Sequence, residues 1–282
     1  MRKLRTFCII LLVAALLTAA VRWDDARLVT DEFAYPSADL PAAFDGFRIV
    51  QLTDLHGRQF GAGNERLIAA VAKAEPDLIA LTGDFVDEES DVSDILPLVR
   101  GLTAVAPVYY VTGNHEWGSG QAQTVLRSLG DAGVTCLENQ FVAVERGGAQ
   151  ILVAGVHDPN GFADQKTPEE LAEEVCAAED DPFWLLLAHR NTLFNGRYCR
   201  LGADLTLSGH SHGGLWRLPF TDGLIDSEKT LFPSFTSGLY ECDDGGHERA
   251  TVFVSRGLGN SPHWVFRLFN PPQVAVIILK KG

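Results

Sequence analysis

No Cys-x-x-Cys pair occurs in this chain. Cys8 lies in an N-terminal apolar run, and Cys136, Cys176, Cys199 and Cys242 are scattered. That scatter argues against structural zinc held on thiolates. It leaves two readings open: one or two disulfides in an exported domain, or buried free thiols. Positive charge is also scarce. The 23 Lys and Arg against 37 Asp and Glu give a formal net charge of −14. This argues against a basic groove for nucleic acid and against a basic patch for anionic membranes. An anionic substrate then needs positive charge from elsewhere, and bound metals are one source. No repeat, low-complexity tract or internal boundary interrupts the 282 residues. The length and the 46% apolar content suit one large α/β domain.

The N-terminus carries a targeting pattern. Arg2, Lys3 and Arg5 precede an uncharged apolar run from Phe7 to Val21, and Asp24-Asp25 follow it. A basic start and an apolar stretch make a signal anchor or a cleaved signal peptide, and the anchor is the preferred reading. The run is short for a spanning helix, which needs about 20 residues, unless its flanks snorkel. The charge asymmetry puts the N-terminus inside and the domain outside the cytoplasm. Cleavage would release a secreted domain. The expected division is therefore an anchor or signal over 1–22, a linker over 23–45 punctuated by Pro36 and Pro41, and the main domain over 46–282.

Apolar runs in this chain stop repeatedly at polar clusters. Arg48 to Thr53 ends at Asp54-Leu55-His56, Leu78 to Thr82 at Gly83-Asp84, and Val108 to Thr112 at Gly113-Asn114-His115-Glu116. Ile151 to Val156 ends at His157-Asp158, Phe183 to Ala188 at His189, and Leu205 to Ser208 at Gly209-His210-Ser211-His212. Strands ending on one sheet edge gather such side chains. Carboxylate, amide oxygen and imidazole suit hard or borderline divalent metals. Alternate strand residues point the same way, so Asp54 and His56 suit one ion, as do His210 and His212. Asp84 is placed to bridge two ions.

Between these runs, helices are expected from Asn64 to Ala74, from Ser90 or Asp91 to Val99, from a Ser119 cap over Gln121 to Leu129, and from Thr167 to Ala178. Alternating strand and helix predicts βαβ units on a largely parallel sheet. The second half predicts a hairpin, Phe141 to Val144 with Ile151 to Val156, and strands at Thr251 to Ser255, Val265 to Leu268 and Val274 to Leu279. A second sheet packed on the first accommodates them.

Asp54-Leu55-His56, Gly83-Asp84, Gly113-Asn114-His115-Glu116, His189 and Gly209-His210-Ser211-His212, in that order, resemble the calcineurin-like metallophosphoesterases. Gly209 to Gly214 followed by Arg217-Leu218-Pro219 is similar to the membrane-anchored bacterial phosphodiesterase branch. The resemblance covers the chain from about Phe47 onward. It implies an α/β fold of two sheets in a sandwich flanked by helices. It implies one ion on Asp54, His56, Asp84 and His212, and a second on Asp84, Asn114, His189 and His210. Manganese comes first, with iron or zinc as alternatives. His115 matches the catalytic histidine that protonates or stabilises the leaving oxygen, and Asp87 matches a carboxylate that orients it. The implied reaction is in-line attack on phosphorus by a metal-bridging hydroxide. Phosphodiesters of envelope or nucleotide origin are the expected substrates. The alternatives are a non-catalytic metal-binding or scaffold module on the same fold and a cytoplasm-facing nucleotide-lipid pyrophosphatase.

Arg190-Asn191, Leu215 and Pro272-Gln273 depart from the family pattern without removing a ligand, so they bear on substrate preference. Three further readings stay open. Arg58 meets a phosphate or solvent. His157 and Asp158 form a wall or end a strand. Trp216, Trp264 and Phe266 line a groove or fill core. His247 and His263 receive no role.

Overall fold

The computed structural model describes residues 2–218, 222–226, 229–242, 250–261, 263 and 265–282. Pro219, His247 and Trp264 lie outside the described residues. A helix, α1 (Arg2–Ala26), leads into β1 (Val29–Ser37) and β2 (Arg48–Leu52). Then follow α2 (Glu65–Lys73), β3 (Leu78–Thr82), α3 (Val92–Thr103), β4 (Val108–Val111), α4 (Asn114–Gly118), α5 (Ala122–Asp131) and β5 (Thr135–Cys136). The second half contains β6 (Gln140–Arg146), β7 (Ala149–Gly155), α6 (Pro168–Ala178), β8 (Trp184–Arg190), β9 (Leu205–Gly209), β10 (Gly238–Glu241), β11 (Thr251–Val254) and β12 (Gln273–Lys281).

Two six-stranded mixed sheets face each other, ordered β1-β12-β2-β3-β4-β5 and β10-β11-β9-β8-β7-β6. β2 to β5 run parallel, as do β7, β8, β9 and β11. The strand period explains the layers. In β3, Ile79 and Leu81 face α2, α3 and α5, whereas Leu78 and Ala80 face the second sheet with Leu185, Leu187 and Leu205. Both faces are covered, so the strand reads as an unbroken apolar run. Leu152, Trp184 and Leu186 on the outer face of the second sheet pack under Leu171 and Val175 of α6. The expected two-sheet sandwich flanked by helices is the fold.

Several elements differ from expectation. Residues 23–45 hold the end of α1 and an edge strand: β1 pairs in parallel with β12 along its whole length. Phe33 and Tyr35 pack toward the inter-sheet core, which gives this strand an apolar face that Pro36 and Pro41 obscured. β12 crosses into the first sheet, antiparallel to β2, with Ala275, Ile277 and Leu279 in the inter-sheet core and Val274 and Val276 in the helix-covered one. Val265 to Leu268 forms no strand beyond a bridge of Leu268 to Trp216. Ser119 caps no following helix; its hydroxyl donates to the His115 carbonyl at 2.8 Å, closing α4. The Thr167 cap of α6 forms as expected, with its hydroxyl accepting the Glu170 N–H.

Candidate metal centre

Parallel strands of both sheets end on one edge of the sandwich, and the turns after them gather the expected residues. Ligand-type atoms of Asp54, His56 and His212 lie within 4.8 Å of one another, as do those of His56, Asp84 and His115, and those of Asp84, His189 and His210. Asn114 joins the third group, its Oδ1 3.2 Å from His189 Nε2. Every residue expected to hold metal is therefore at this edge, with Asp84 shared between two groups.

The backbone is bent to achieve this. Asp54, His56, Asp84, His210 and His212 have φ of 52°, 49°, 55°, 71° and 49°, left-handed values uncommon for residues with a side chain. Such strain persists where surrounding structure over-determines it. Here Glu116 is the clamp. Its buried carboxylate accepts the N–H groups of Asp84 (3.0 Å), Phe85 (2.7 Å), Val86 (3.2 Å) and Gly113 (2.7 Å). The turns after β3 and β4 are thus tied together. They approach so closely that a Cβ on Gly83 would stand 2.6 Å from Gly113 N and 2.7 Å from His189 Nδ1.

The donor set fits a cation. His189 Nδ1 donates to the Thr82 carbonyl at 2.8 Å, which leaves Nε2 as an acceptor in the neutral ring. That Nε2 faces Asp84 Oδ2 at 3.0 Å, Asn114 Oδ1 at 3.2 Å and His210 Nδ1 at 3.2 Å. Lone pairs gathered this way need a proton or a metal between them. Burial disfavours the charged His189 ring, but the Asp84 and Asp54 carboxylates outweigh it and push its pKa up to about 10. Burial likewise opposes ionisation of Asp84, yet His189, His56 and His115 hold its carboxyl well below the ordinary range. His56 Nε2 is buried with no hydrogen-bond partner, as expected of an atom shaped to face an ion. His212 donates from Nδ1 to the Gly259 carbonyl at 3.3 Å. Burial, reinforced by His56 and Arg267, pushes its pKa well below the usual value, so its ring is neutral, as ligation requires.

One expectation changes. Asp87 does not touch His115: its Oδ2 meets His56 Nδ1 at 3.2 Å and His263 Nε2 at 2.6 Å. The turn after β3 aims Asp87 inward, with Oδ1 held by the Glu89 N–H and the Ser90 hydroxyl. The carboxylate beside His115 is Glu88, 3.2 Å from Nδ1, while Ser261 Oγ lies 3.4 Å from Nε2. Arg58 binds the carbonyl and carboxylate of Asp25 and the Leu258 carbonyl.

His157 and Asp158 stay outside the metal groups. His157 Nδ1 meets Thr112 Oγ1 at 2.9 Å, and Asp158 takes a bidentate bond from Arg190. Trp216 and Phe266 stack on each other. Arg267 escaped the sequence reading altogether. Fully buried, its guanidinium donates to the carbonyls of Gly259 and Arg256 and to Asn260 Oδ1, bracing the loop that holds His212. Burial pushes its pKa down to about 9.

The chain belongs to the calcineurin-like phosphoesterase family, whose model matches residues 47–214. It is 30% identical to the uncharacterized metallophosphoesterase YkuE of Bacillus subtilis (strain 168), over 95% of this chain and 93% of that one. It is 28% identical to a transmembrane protein with metallophosphoesterase domain from Danio rerio, over 88% of this chain and 56% of that one. Among solved structures, that of TT1561 of Thermus thermophilus is similar with a TM-score of 0.47 at 16% identity, over 74% of this chain and 88% of that one. With the family shown and the Asp and His groups gathered, the molecule is a metallophosphoesterase with a buried centre suited to two ions.

Proposed function

We propose that this enzyme is a phosphodiesterase of the membrane-anchored bacterial branch, working outside the cytoplasm with two divalent ions, manganese first. Asp54, His56, Asp84 and His212 would hold one ion, and Asp84, Asn114, His189 and His210 the other. When bound, the ions supply Lewis-acid charge to phosphoryl oxygens and lower the pKa of water. The protein's part is positioning and proton handling. The Thr82 and Gly259 carbonyls fix the tautomers of His189 and His212. Asp87 orients His56 from behind, so it is a positioning residue. His115, a quarter exposed at the mouth, donates a proton from Nε2 to the leaving oxygen while Glu88 holds Nδ1.

One observation carries this reading: a buried carboxylate, an amide oxygen and two imidazole nitrogens converge on the same point beside Asp84. The extracytoplasmic side is supported by the basic residues before the apolar run, Asp24 and Asp25 after it, and a Cys199–Cys242 disulfide. An anchored arrangement agrees with the transmembrane description of the Danio rerio relative. The test is hydrolysis of aryl phosphodiester and phosphomonoester substrates by chelator-stripped protein restored with manganese, iron or zinc. Preference for the diester with manganese is expected. Metal-independent activity, or preference for the monoester, contradicts the reading.

A further inference from the structure

Phe162 apart, the exposed large apolar side chains outside α1, among the described residues, fall in two segments, 215–232 and 266–269. Their described residues, 215–218, 222–226, 229–232 and 266–269, form one flap. Arg217 N–H donates to the Leu268 carbonyl at 2.8 Å, Leu224 N–H to Trp216 at 2.7 Å, and Phe232 N–H to Leu224 at 3.0 Å. Leu231 and Phe232 are each 66% exposed and Phe269 is 59% exposed. Phe232 and Phe269 both stand at φ 52°, where glycine would fit without strain. Their rings face outward, so core packing does not explain a phenylalanine at either position.

The flap adjoins the foot of α1. Asn270 N–H, one residue past Phe269, donates to buried Asp24 Oδ2 at 2.9 Å, and Asn260 Nδ2 donates to Asp25. Trp23, at that foot, is 65% exposed. α1 is a 25-residue helix with an apolar window exposed along its length, about 37 Å long at 1.5 Å per residue and enough to span a bilayer. Asp25 also lines a cavity of about 720 Å³ with His56, Arg58, Asn260 and His263. The helix foot, the apolar flap and a cavity that reaches the centre at His56 therefore share one side of the molecule.

We propose that the flap, with Trp23, seats in the membrane interface and holds the cavity mouth at the headgroup layer, so that the fitting substrate is a phosphoester carried on a lipid. Exposed aromatic and leucine side chains beside a spanning helix suit that layer, and exposed Lys229 offers charge to lipid phosphates. The substrate assignment rests on the hydrolase reading above; the surface does not.

The test uses the full chain in phosphatidylglycerol–phosphatidylethanolamine nanodiscs, with photoreactive p-benzoylphenylalanine at Phe232, Phe269, Leu11 in α1, or Glu145 at the opposite edge. Lipid adducts at Phe232, Phe269 and Leu11, with none at Glu145, are expected. Adducts at Leu11 alone, or at none of these positions, overturn the surface. A second arm compares a lipid-borne phosphodiester in vesicles with a soluble aryl one. Combined L231S, F232S and F269S should lower the first rate about tenfold and hold the second within about twofold. Equal effects on both, or none, overturn the substrate assignment. A wild-type chain inactive on both defeats the hydrolase reading and the lipid substrate with it, while the adducts still judge the surface.

Discussion

The two sheets furnish the centre differently. The first supplies Asp54, His56, Asp84 and Asn114 from turns after β2, β3 and β4, a set rich in oxygen. The second supplies three imidazoles, His189, His210 and His212. Their supports differ in kind as well. On the first sheet an anion, Glu116, gathers backbone N–H groups. The second sheet's rings are held by carbonyl oxygens, Thr82 of β3 for His189 and Gly259 for His212, and the buried cation Arg267 braces the His212 loop. The ligands of the first sheet thus set the charge of the centre, and the supports behind both sheets set its shape. Loss of a first-sheet ligand should appear as lost ions, and loss of a support as lost order.

The largest effect expected is from Asp84→Asn, which removes the charge shared by both groups. Elemental analysis should find both sites depleted, and turnover should fall on the order of a thousandfold, as several kcal/mol of charge stabilisation implies. Two retained ions would break the division between charge and shape. Next is His115→Ala, expected to slow turnover roughly a hundredfold to a thousandfold, within the range for a lost general acid, with metal content unaltered. An unaffected rate removes His115 from proton transfer.

Arg267→Met tests the second sheet. It strips donors from buried carbonyls at once, so urea unfolding should show a loss of about 3 kcal/mol. Glu116→Gln should lower stability by roughly 2 kcal/mol, because an amide NH₂ replaces one acceptor facing backbone donors. A Glu116→Gln protein with unaltered melting and full metal content would remove the clamp assignment.

The remaining effect, read as a pH dependence, lies at the other end of the second sheet. Burial pushes the Asp204 carboxyl up to about 7, against the opposing Trp184 N–H bond. Its ordinary value is about 3.9. The folded state therefore keeps a proton that the unfolded state has released, and stability declines as pH rises from about 4 through about 7. Asp204→Asn should flatten that decline in denaturation midpoints compared at about pH 5 and about pH 8. A slope equal to wild type would show that Asp204 is not its source.

Much of this was legible in the sequence because strand ends and ligands coincide there. The metal groups follow from polar residues terminating apolar runs. What stayed hidden depends on where turns aim side chains. Asp87 and Glu88 are adjacent, and the turn, not their order, decides which faces His56 and which faces His115. Glu116 carried a signal that went unused: it sits at the third position of α4 after Gly113, where a glutamate reaches back to backbone N–H groups. Arg267 carried none, since its partners are carbonyls from distant loops. The sheet chosen by β12 was equally illegible, because a strand buried on both faces suits either sheet.

The shared role of Asp84 is tested most directly by anomalous diffraction at the manganese edge from crystals of the manganese-loaded enzyme. Two peaks about 3.5–4 Å apart, one on each side of the Asp84 carboxylate, are the expected result. A single peak, or two peaks that do not share Asp84, would contradict a centre built jointly by both sheets.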